Sequence, residues 1–503
     1  MKTILLFGAG RSATVLIDYL LENAISGNWR LVLVDADHAL ASSKIGPSQR
    51  GTPVSFDILD EEERGRQIKS ADLVISLLPP GLHIEVAKDC LRYHKSLLTA
   101  SYVDPQIKAL EKDIEKNKLL FLYEMGLDPG IDHMSAMRLF HDIHARNGSV
   151  HSFISHCGGL VAPESDDNPW HYKISWNARN IIMAGKAGAH YLENGEEIRV
   201  PYESLFSQEK TIEVPGIGEL GWYPNRDSMS YIPLYGLKNV NTFIRTTLRH
   251  PDFLFGWKNI VDLKLTDESP VYDSANKTLQ ALFKEHMDLN GFGEWLTKKL
   301  SDRFEDTRGM LENLLKLAEA ENEARQSGEE VPPSFMTADE TGTLQEVEIE
   351  QVKNQAASHL AHRMHQANLI LKQLFFLGMD DNETRMDKGK CSAADLLQFA
   401  AEKKLSLRPY DKDMIIMKHE IEWMLEGQKK IWHSSLVVKG ENNLRTAMAK
   451  TVGLPLGIAA RNILNGKIKL TGLHIPTARD IYEPVLEELE LHGVMFREDH
   501  FDH

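Results

Sequence analysis

A short apolar run, Met1–Phe7, leads into Gly8-Ala9-Gly10-Arg11-Ser12-Ala13. A helix-periodic stretch follows to Leu21, then a second apolar run, Leu31–Val34, that stops at Asp35. Strand, glycine turn, helix, strand and acid, in that order, leave few folds open. Gly8 permits a tight turn, Gly10 lets the backbone approach a diphosphate, and Ala13 allows close helix–strand packing. The helix N-terminus adds unpaired N–H donors and partial positive charge. Asp35 falls about twenty residues after the last small residue, where a carboxylate accepts from a ribose 2′-hydroxyl. The segment therefore reads as a dinucleotide-binding unit, with Gly8, Gly10, Arg11, Ser12, Ala13 and Asp35 as candidate cofactor contacts. A carboxylate at 35, reinforced by Asp37, repels a 2′-phosphate, so NAD is expected ahead of NADP. Arg30 and Lys44 keep NADP open.

The α/β rhythm continues. Val54–Ile58 reads as a third strand, carrying Asp57 as a further candidate cofactor contact, and Glu61–Ser70 as a helix. Ala71–Leu78 is an apolar strand ending in Pro79-Pro80-Gly81. His83–His94 reads as a helix, Ser96–Tyr102 as a strand, Pro105–Lys118 as a helix and Leu119–Tyr123 as a sixth strand. Such alternation predicts an α/β, Rossmann-like, doubly wound parallel sheet, with ligands outside the carboxyl ends of its strands. That rule places Gly8–Ala13, Asp35, Leu78 and Pro79, Ser101 and Tyr102, and 124–128 along one rim.

After Gly126 the texture changes. Short alternating segments (His151–Cys157, Thr211–Val214, Val240–Thr247 and Ile260–Leu265) predict a mixed or antiparallel sheet in a second domain. Asp413–Lys418 and Trp432–Lys439 are assigned to the same sheet. From about Ser274 the chain becomes helical and charged. Glu312–Glu330 reads as a charged helix, Val331-Pro332-Pro333 as a breaker, 327–350 as an exposed acidic loop and Gln351–Phe376 as a helix. Asn443–Asn465 and Glu483–Leu491 close the chain as helices.

The formal net charge is −16, from 73 acids against 57 bases, which argues against nucleic acid or an anionic membrane as partner. An acidic substrate must then be held by a few local arginines. Three cysteines, Cys90, Cys157 and Cys391, lack any C-x-x-C spacing, so neither a disulfide framework nor structural zinc is expected. Nothing at the N-terminus resembles a signal peptide, and no apolar run approaches the roughly 20 residues of a membrane span. A cytoplasmic location is expected.

Four runs carry candidate chemistry. Gly126-Leu127-Asp128-Pro129-Gly130-Ile131-Asp132-His133 follows the sixth strand and puts a carboxylate on a turn at the rim, suited to orienting substrate or moving a proton. Ser155-His156-Cys157-Gly158-Gly159 offers a thiol and a glycine pair permitting close backbone approach. Tyr223-Pro224-Asn225-Arg226-Asp227-Ser228 and Phe243–Arg249 supply arginines whose forked guanidinium groups pair with carboxylates. Several of them in one domain point to a small substrate with several carboxylates. His141 and His144 have no third metal ligand, so no metal site is expected.

These runs together resemble the glutamate-forming saccharopine dehydrogenase (saccharopine reductase) family. The matching stretches are GAGRSA at 8–13, ADLVISLLPP at 71–80, LTASY at 98–102, GLDPGIDHM at 126–134, CGGL…APE…NP at 157–169, YPNRDS at 223–228, TFIRTTLR at 242–249, KDMIIMKH at 412–419 and AMAKTVGLPLGIA at 447–459. They are co-linear and span nearly the whole chain. Their style is closest to the saccharopine dehydrogenase half of the animal bifunctional lysine-degrading enzymes, which use NAD. The resemblance implies a dinucleotide domain over 1–125 completed by about 450–503. It also implies an α+β substrate and dimerisation domain over 126–270 and about 405–449, a helical domain over 271–404, and a homodimer. Carried across by motif, Ser101, Gly158, Arg226 and Arg245 would bind saccharopine, and Asp128, Cys157 and Tyr102 are the candidate catalytic groups. The chain departs from the family at 305–365, which looks like extra helical material, and at His156, where a tyrosine is usual.

The expected activity is oxidation of saccharopine with NAD(P)+ and water to L-glutamate and 2-aminoadipate 6-semialdehyde, or the reverse. One alternative is a related dehydrogenase of a carboxylated polyamine, whose cationic tail Asp166, Asp167 and Trp170 would line. Another is a non-catalytic NAD-binding sensor or scaffold that docks a partner through 327–350.

Overall fold

The computed structural model describes residues 1–207, 210–299, 301, 334–338 and 344–502. It divides into two compact units. One comprises 1–167, 171–251 and 405–503, and the other 168–170 and 252–404. The expected helix Glu312–Glu330 and the 331–333 breaker lie outside the described residues, as does half of the 327–350 loop. The rest of that expected loop is instead an antiparallel strand pair, Ser334–Ala338 with Leu344–Glu348, running into the helix Ile349–Phe376.

The first unit holds two sheets. The first is seven-stranded and parallel throughout. Its order from one edge is Gly472–His474, Leu120–Leu122, Ser96–Thr99, Leu73–Ser76, Lys2–Phe7, Trp29–Val34 and Gly51–Val54. Its central strands are apolar on both faces because helices cover both, with Leu6, Leu33 and Ile75 on one side and Leu5, Val32 and Val74 on the other. Expected and observed strands agree in order but not always in extent. The third strand ends at Val54 instead of running to Ile58. Its edge position tolerates Pro53, and from Asp57 onward acids end the ladder. The Asp57 carboxylate accepts from Leu59 N–H (2.9 Å), and Asp60 caps the helix Glu61–Ser70 through Glu63 N–H (3.1 Å). The predicted helix 105–118 is two shorter ones, Pro105–Ala109 and Glu111–Lys116.

The second sheet is mixed. Its main path runs Lys210–Val214, Gly218–Pro224, Thr242–Arg249, Ser149–Val161, Asp413–Leu425, Gln428–Lys439 and Arg497–Asp502. Ser149–Val161 lies parallel to Thr242–Arg249, with Arg245 opposite Ser155 and Thr247 opposite Cys157, and antiparallel to Asp413–Leu425. Successive residues on a strand face opposite ways, so Cys157 and His156 serve different faces.

Late residues complete early structure. The helix Ala447–Leu464 packs on the dinucleotide helix Thr14–Glu22 at close range. A Cβ on Gly453 would lie 2.8 Å from the Leu16 nitrogen, and one on Gly457 would lie 2.5 Å from the Tyr19 ring. Asp413 ties this helix to the second sheet. Its fully buried carboxylate accepts from Ala447 N–H (2.6 Å) and Met448 N–H (2.9 Å) at the helix start. No helix among the described residues is long and apolar enough to cross a membrane.

The second unit is mainly helical, with Pro251–Asp262, Leu279–Leu289, Ile349–Phe376 and Ala393–Lys404, and a small antiparallel pair, Pro270–Asp273 with Lys390–Ser392. The expected strand Ile260–Leu265 is therefore wrong. Phe253, Leu254, Trp257, Ile260 and Val261 repeat at helical spacing and are all buried, and Pro251 suits a first helical turn.

Replacing Gly453 with alanine should destabilise the first unit by about 1–3 kcal/mol, because the opposing atom is backbone and cannot swing aside. A lower urea midpoint with an unchanged slope is the expected result.

Candidate functional site

The carboxyl rim of the parallel sheet gathers most of the residues singled out above. Gly8 adopts φ +99°, and a Cβ there would lie 2.8 Å from the Leu77 carbonyl oxygen, so the turn requires glycine. Gly10 has open space where its side chain would be, with nothing within 4 Å. A tight turn with one open glycine at the start of a helical segment, Arg11–Ala13 running into Thr14–Glu22, fits a dinucleotide diphosphate. Ala13 is buried against the core as expected. Leu78 and exposed Pro79 follow the fourth strand on the same rim.

Three expected cofactor contacts, Asp35, Asp57 and Arg11, have other partners. Asp35 accepts from Ala9 N–H (2.8 Å) through one oxygen and from Asp37 N–H (2.9 Å) through the other, so it braces the glycine turn directly. Asp57 is exposed in the turn after the edge strand and is engaged with Leu59 N–H. Arg11 donates to the Ile174 carbonyl at 2.9 Å, and the Lys44 amine is held at Thr14 Oγ1 on the dinucleotide helix.

Beside this rim lies a buried charge cluster. The turn Gly126–Gly130 needs its last glycine: Gly130 has φ +146°, and a Cβ would fall 2.1 Å from the Gly126 oxygen. The turn delivers Asp128 and, at the start of the helix Ile131–Ala145, Asp132. Arg245 projects from the second sheet between them. Its Nη2 donates to Asp128 Oδ1 (2.5 Å) and Asp132 Oδ2 (2.7 Å), and its side chain is 3 % exposed. Its Nε and Nη1 have no partner among the described residues. Burial lifts the Asp128 carboxyl to about 6 against the opposing charge of Arg245, with Asp132 adding to the rise. Burial would also raise Asp132, but the neighbouring His133, Arg245 and the Gly130 N–H (2.6 Å) outweigh it and hold that carboxyl below the usual aspartate range. Tyr102 lies under both arginines, 5.1 Å from the Arg226 guanidinium and 6.0 Å from that of Arg245. Burial, then the Asp128 charge, pushes its phenol above the ordinary value, so it stays protonated at neutral pH.

The other expected site residues divide. Ser101 joins the rim, with its hydroxyl 2.6 Å from His83 Nε2, while His83 Nδ1 lies 2.8 Å from Ser76 Oγ. Burial lowers His83 to about 4 and keeps this link neutral. The buried thiol of Cys157 is pushed well up by burial and by Asp128 and Asp132, so it is a weak acid and no ready nucleophile. Gly158 has a packing reason to be glycine, since a Cβ would meet Leu248 Cβ at 2.6 Å. His156 points to the other face of the sheet, bonded to Thr246 Oγ1 (2.7 Å) and against Trp222, so its departure from the family pattern does not touch this cluster. Arg226 is exposed on a two-residue strand, in a left-handed conformation with φ +50°.

Sequence reasoning missed the buried layer beneath Arg245. Glu124 Oε2 lies 2.8 Å from His133 Nε2 and accepts from the Tyr231 hydroxyl at 3.0 Å, and Tyr235 OH lies 2.5 Å from His133 Nδ1. Tyr231 carries the Arg245 guanidinium 4.5 Å above its ring. The available signal was a carboxylate at the end of an apolar strand; its partners, about nine and 107 positions away, left no local pattern.

A glycine turn open to a diphosphate at the carboxyl rim of a parallel sheet, with a buried arginine and acids beside it, defines an NAD(P)-binding protein with the architecture of a dehydrogenase. Residues 4–122 match the family model "Saccharopine dehydrogenase NADP binding domain", and residues 126–494 match "Saccharopine dehydrogenase C-terminal domain". The chain belongs to the saccharopine dehydrogenase family. It is 31% identical over 522 residues to the alpha-aminoadipic semialdehyde synthase of Arabidopsis thaliana, covering 98% of this chain and 44% of that protein. It is 29% identical over 503 residues to the saccharopine dehydrogenase [NADP(+), L-glutamate-forming] of Saccharomyces cerevisiae, covering 99% of each. It thus spans about half the length of the plant and bovine relatives it matches and the whole of the yeast one. Among solved structures it is similar to apo saccharopine dehydrogenase (L-Glu forming) from Saccharomyces cerevisiae, with TM-score 0.76, 26% identity and full coverage of both chains.

Replacing Arg245 with methionine strands two buried carboxyl groups and should destabilise the fold by about 3–5 kcal/mol at pH 8. The loss should shrink at pH 5, because protonating either carboxyl removes its buried charge. Denaturation at the two pH values measures both.

Proposed function

We propose that this protein interconverts saccharopine and water with L-glutamate and 2-aminoadipate 6-semialdehyde, using NAD(P). The observation that carries the reading is the buried Arg245 with Asp128 and Asp132 beside the dinucleotide rim: a buried guanidinium whose Nη2 is held by two carboxyl groups and whose Nε–H and Nη1–H remain as donors suits a carboxylate-bearing substrate. The names of the yeast and plant relatives point the same way. A homodimer and a cytoplasmic location belong to the same reading.

When bound, the dinucleotide supplies the acceptor for the hydride that leaves the substrate carbon. The chain's own residues do the rest. Arg245, through Nε and Nη1, and Arg226, over the Tyr102 ring, take substrate carboxylates. Ser101, held by His83, orients a polar group at the rim. Asp128, with its carboxyl near 6, is an ionised base above that pH and accepts the proton of the secondary amine before oxidation. Tyr102 remains protonated and donates a hydrogen bond. Cys157 is a protonated neighbour and does not act as a nucleophile.

The cofactor form is a finer point. The family description and the yeast relative carry NADP in their names and favour it. The strand end itself carries Asp35 and Asp37, and the nearest following lysine, Lys44, is engaged at Thr14. A 2′-phosphate calls for a cation there. On that charge we propose NAD as the preferred form.

The polyamine reading loses its lining. Asp166 pairs with His171 (2.6 Å), Asp167 with Lys173 and Arg408 (2.9 Å each), and Trp170 is buried in the second unit. Both carboxylates already have cationic partners, which disfavours them as the lining of a cationic tail.

Spectrophotometric assay with saccharopine should show reduced dinucleotide forming. The rate constant kcat/KM should fall as pH drops through about 6, where Asp128 takes up its proton. In Asp128→Asn that limb should vanish along with most of the rate, by about 10²-fold or more. A limb that persists in the variant would move the base elsewhere. Measured with each cofactor, kcat/KM should favour NAD, and Asp35→Ala should shift the ratio toward NADP by about tenfold, the scale of one partly screened charge interaction. A wild-type preference for NADP would overturn the NAD assignment.

A further inference from the structure

We propose that Glu124 is a positioning residue that sets the mutual geometry of Tyr102, Asp132 and Arg245 without itself meeting substrate. The inference rests on the proposed function for its kinetic test and goes beyond it in assigning a role to the layer beneath the arginine.

Glu124 is 4 % exposed and holds φ +56°, a backbone conformation uncommon for a residue with a Cβ. Such residues persist where the surroundings over-determine them, and they cluster at functional sites. Its partners supply the constraint. Oε1 accepts from Val103 N–H at 3.2 Å, while Oε2 accepts from the Tyr231 hydroxyl at 3.0 Å and lies 2.8 Å from His133 Nε2. Its own N–H donates to the Ser101 carbonyl at 3.0 Å.

Each partner adjoins one candidate site group. Val103 follows Tyr102 in the chain. His133 follows Asp132, with its Nδ1 3.7 Å from Asp132 Oδ2. Tyr231 lies under the Arg245 guanidinium at 4.5 Å and stacks on His133 at 5.2 Å. One carboxylate therefore links the loop after the fifth strand, the helix that starts at Ile131, and the aromatic platform of the arginine. These come from separate parts of the chain, and no backbone ladder joins all three. A carboxylate suits the task because its two oxygens accept from several donors at once. Glutamine has the same size but only one acceptor oxygen, and its NH2 would face a donor.

The test compares Glu124→Gln, Tyr231→Phe and the double variant with the wild type. Tyr231→Phe keeps the ring under Arg245 and removes only the hydroxyl link, so it serves even where Glu124→Gln fails to fold. Each single variant should lower kcat/KM for saccharopine by about tenfold, the scale of a lost hydrogen bond to a charged group. The KM for the dinucleotide should not change. The double variant should be no worse than the worse single one, because both remove the same link. Saccharopine kcat/KM at the wild-type level in Tyr231→Phe would overturn the proposal. So would additive losses, or a parallel rise in the dinucleotide KM, as general loosening would produce. If the wild type does not turn over saccharopine, the functional reading fails and a crystal structure of Tyr231→Phe decides this one. An Arg245 guanidinium displaced from Asp132 supports the role, and an unmoved one overturns it.

Discussion

One guanidinium buried between two carboxyl groups governs this structure. Removing three ionisable groups from water costs several kcal/mol for each ion, and the cost is met only when geometry and hydrogen bonds are nearly complete. Arg245 comes from the second sheet, and Asp128 and Asp132 come from the turn after the sixth strand of the first. The cluster therefore stands only while the two sheets hold a defined relation within the first unit. The packing around it serves that relation. Gly130 closes the turn, Ser228 accepts the Arg245 N–H at 3.0 Å, and Tyr231 supports the guanidinium from below.

The same dependence explains why the end of the chain returns to its beginning. The glycine turn at Gly8–Ala13 opens a helix whose packing partner is Ala447–Leu464, met at Gly453 and Gly457. Gly472–His474 pairs with Leu120–Leu122, the strand that leads into Glu124 and the Asp128 turn. Asp413 ties the closing helix to the second sheet. The dinucleotide rim and the charge cluster are thus braced by the same late segment. A perturbation of either should be felt at the other, because close-packed interiors transmit displacement instead of absorbing it.

Asp128 shows how environment assigns chemistry. It and Asp132 touch the same nitrogen, yet one carboxyl is raised and the other lowered. Burial raises both, but on Asp132 it is outweighed by His133, Arg245 and the Gly130 N–H, while on Asp128, which lacks that backbone donor, burial outweighs Arg245 and the Asp132 charge adds to the rise. Two carboxyl groups whose surroundings push them apart are the usual mark of divided roles, one titrating and one remaining charged. Tyr102 and Cys157 are held in the protonated form by burial first and by the nearby Asp128 charge second.

Local pattern made much of this legible. The strand–glycine–helix opening, the alternation through Tyr123 and the turn at 126–130 are short-range signals, since apolar periodicity and glycine conformations act over a few residues. They placed the sheet, its binding rim and Asp128 as features of interest, and the run Phe243–Arg249 singled out Arg245. The errors share a cause. Ile260–Leu265 alternates over six residues but belongs to a longer helical repeat, and the third strand stops where turn-forming acids intervene. Asp35 occupies the expected strand end, yet the nearby Ala9 and Asp37 N–H groups take up its oxygens. What the amino-acid order determined alone was the class of fold and the residue types available at its rim. Only the tertiary structure decided which of them meet: that Arg245 reaches Asp128 and Asp132, that His156 turns away while Cys157 faces in, and that Glu124 joins His133 and Tyr231. Those pairings depend on strand register and on contacts more than a hundred residues apart, where side-chain chemistry without a backbone to place it carries no information about partners.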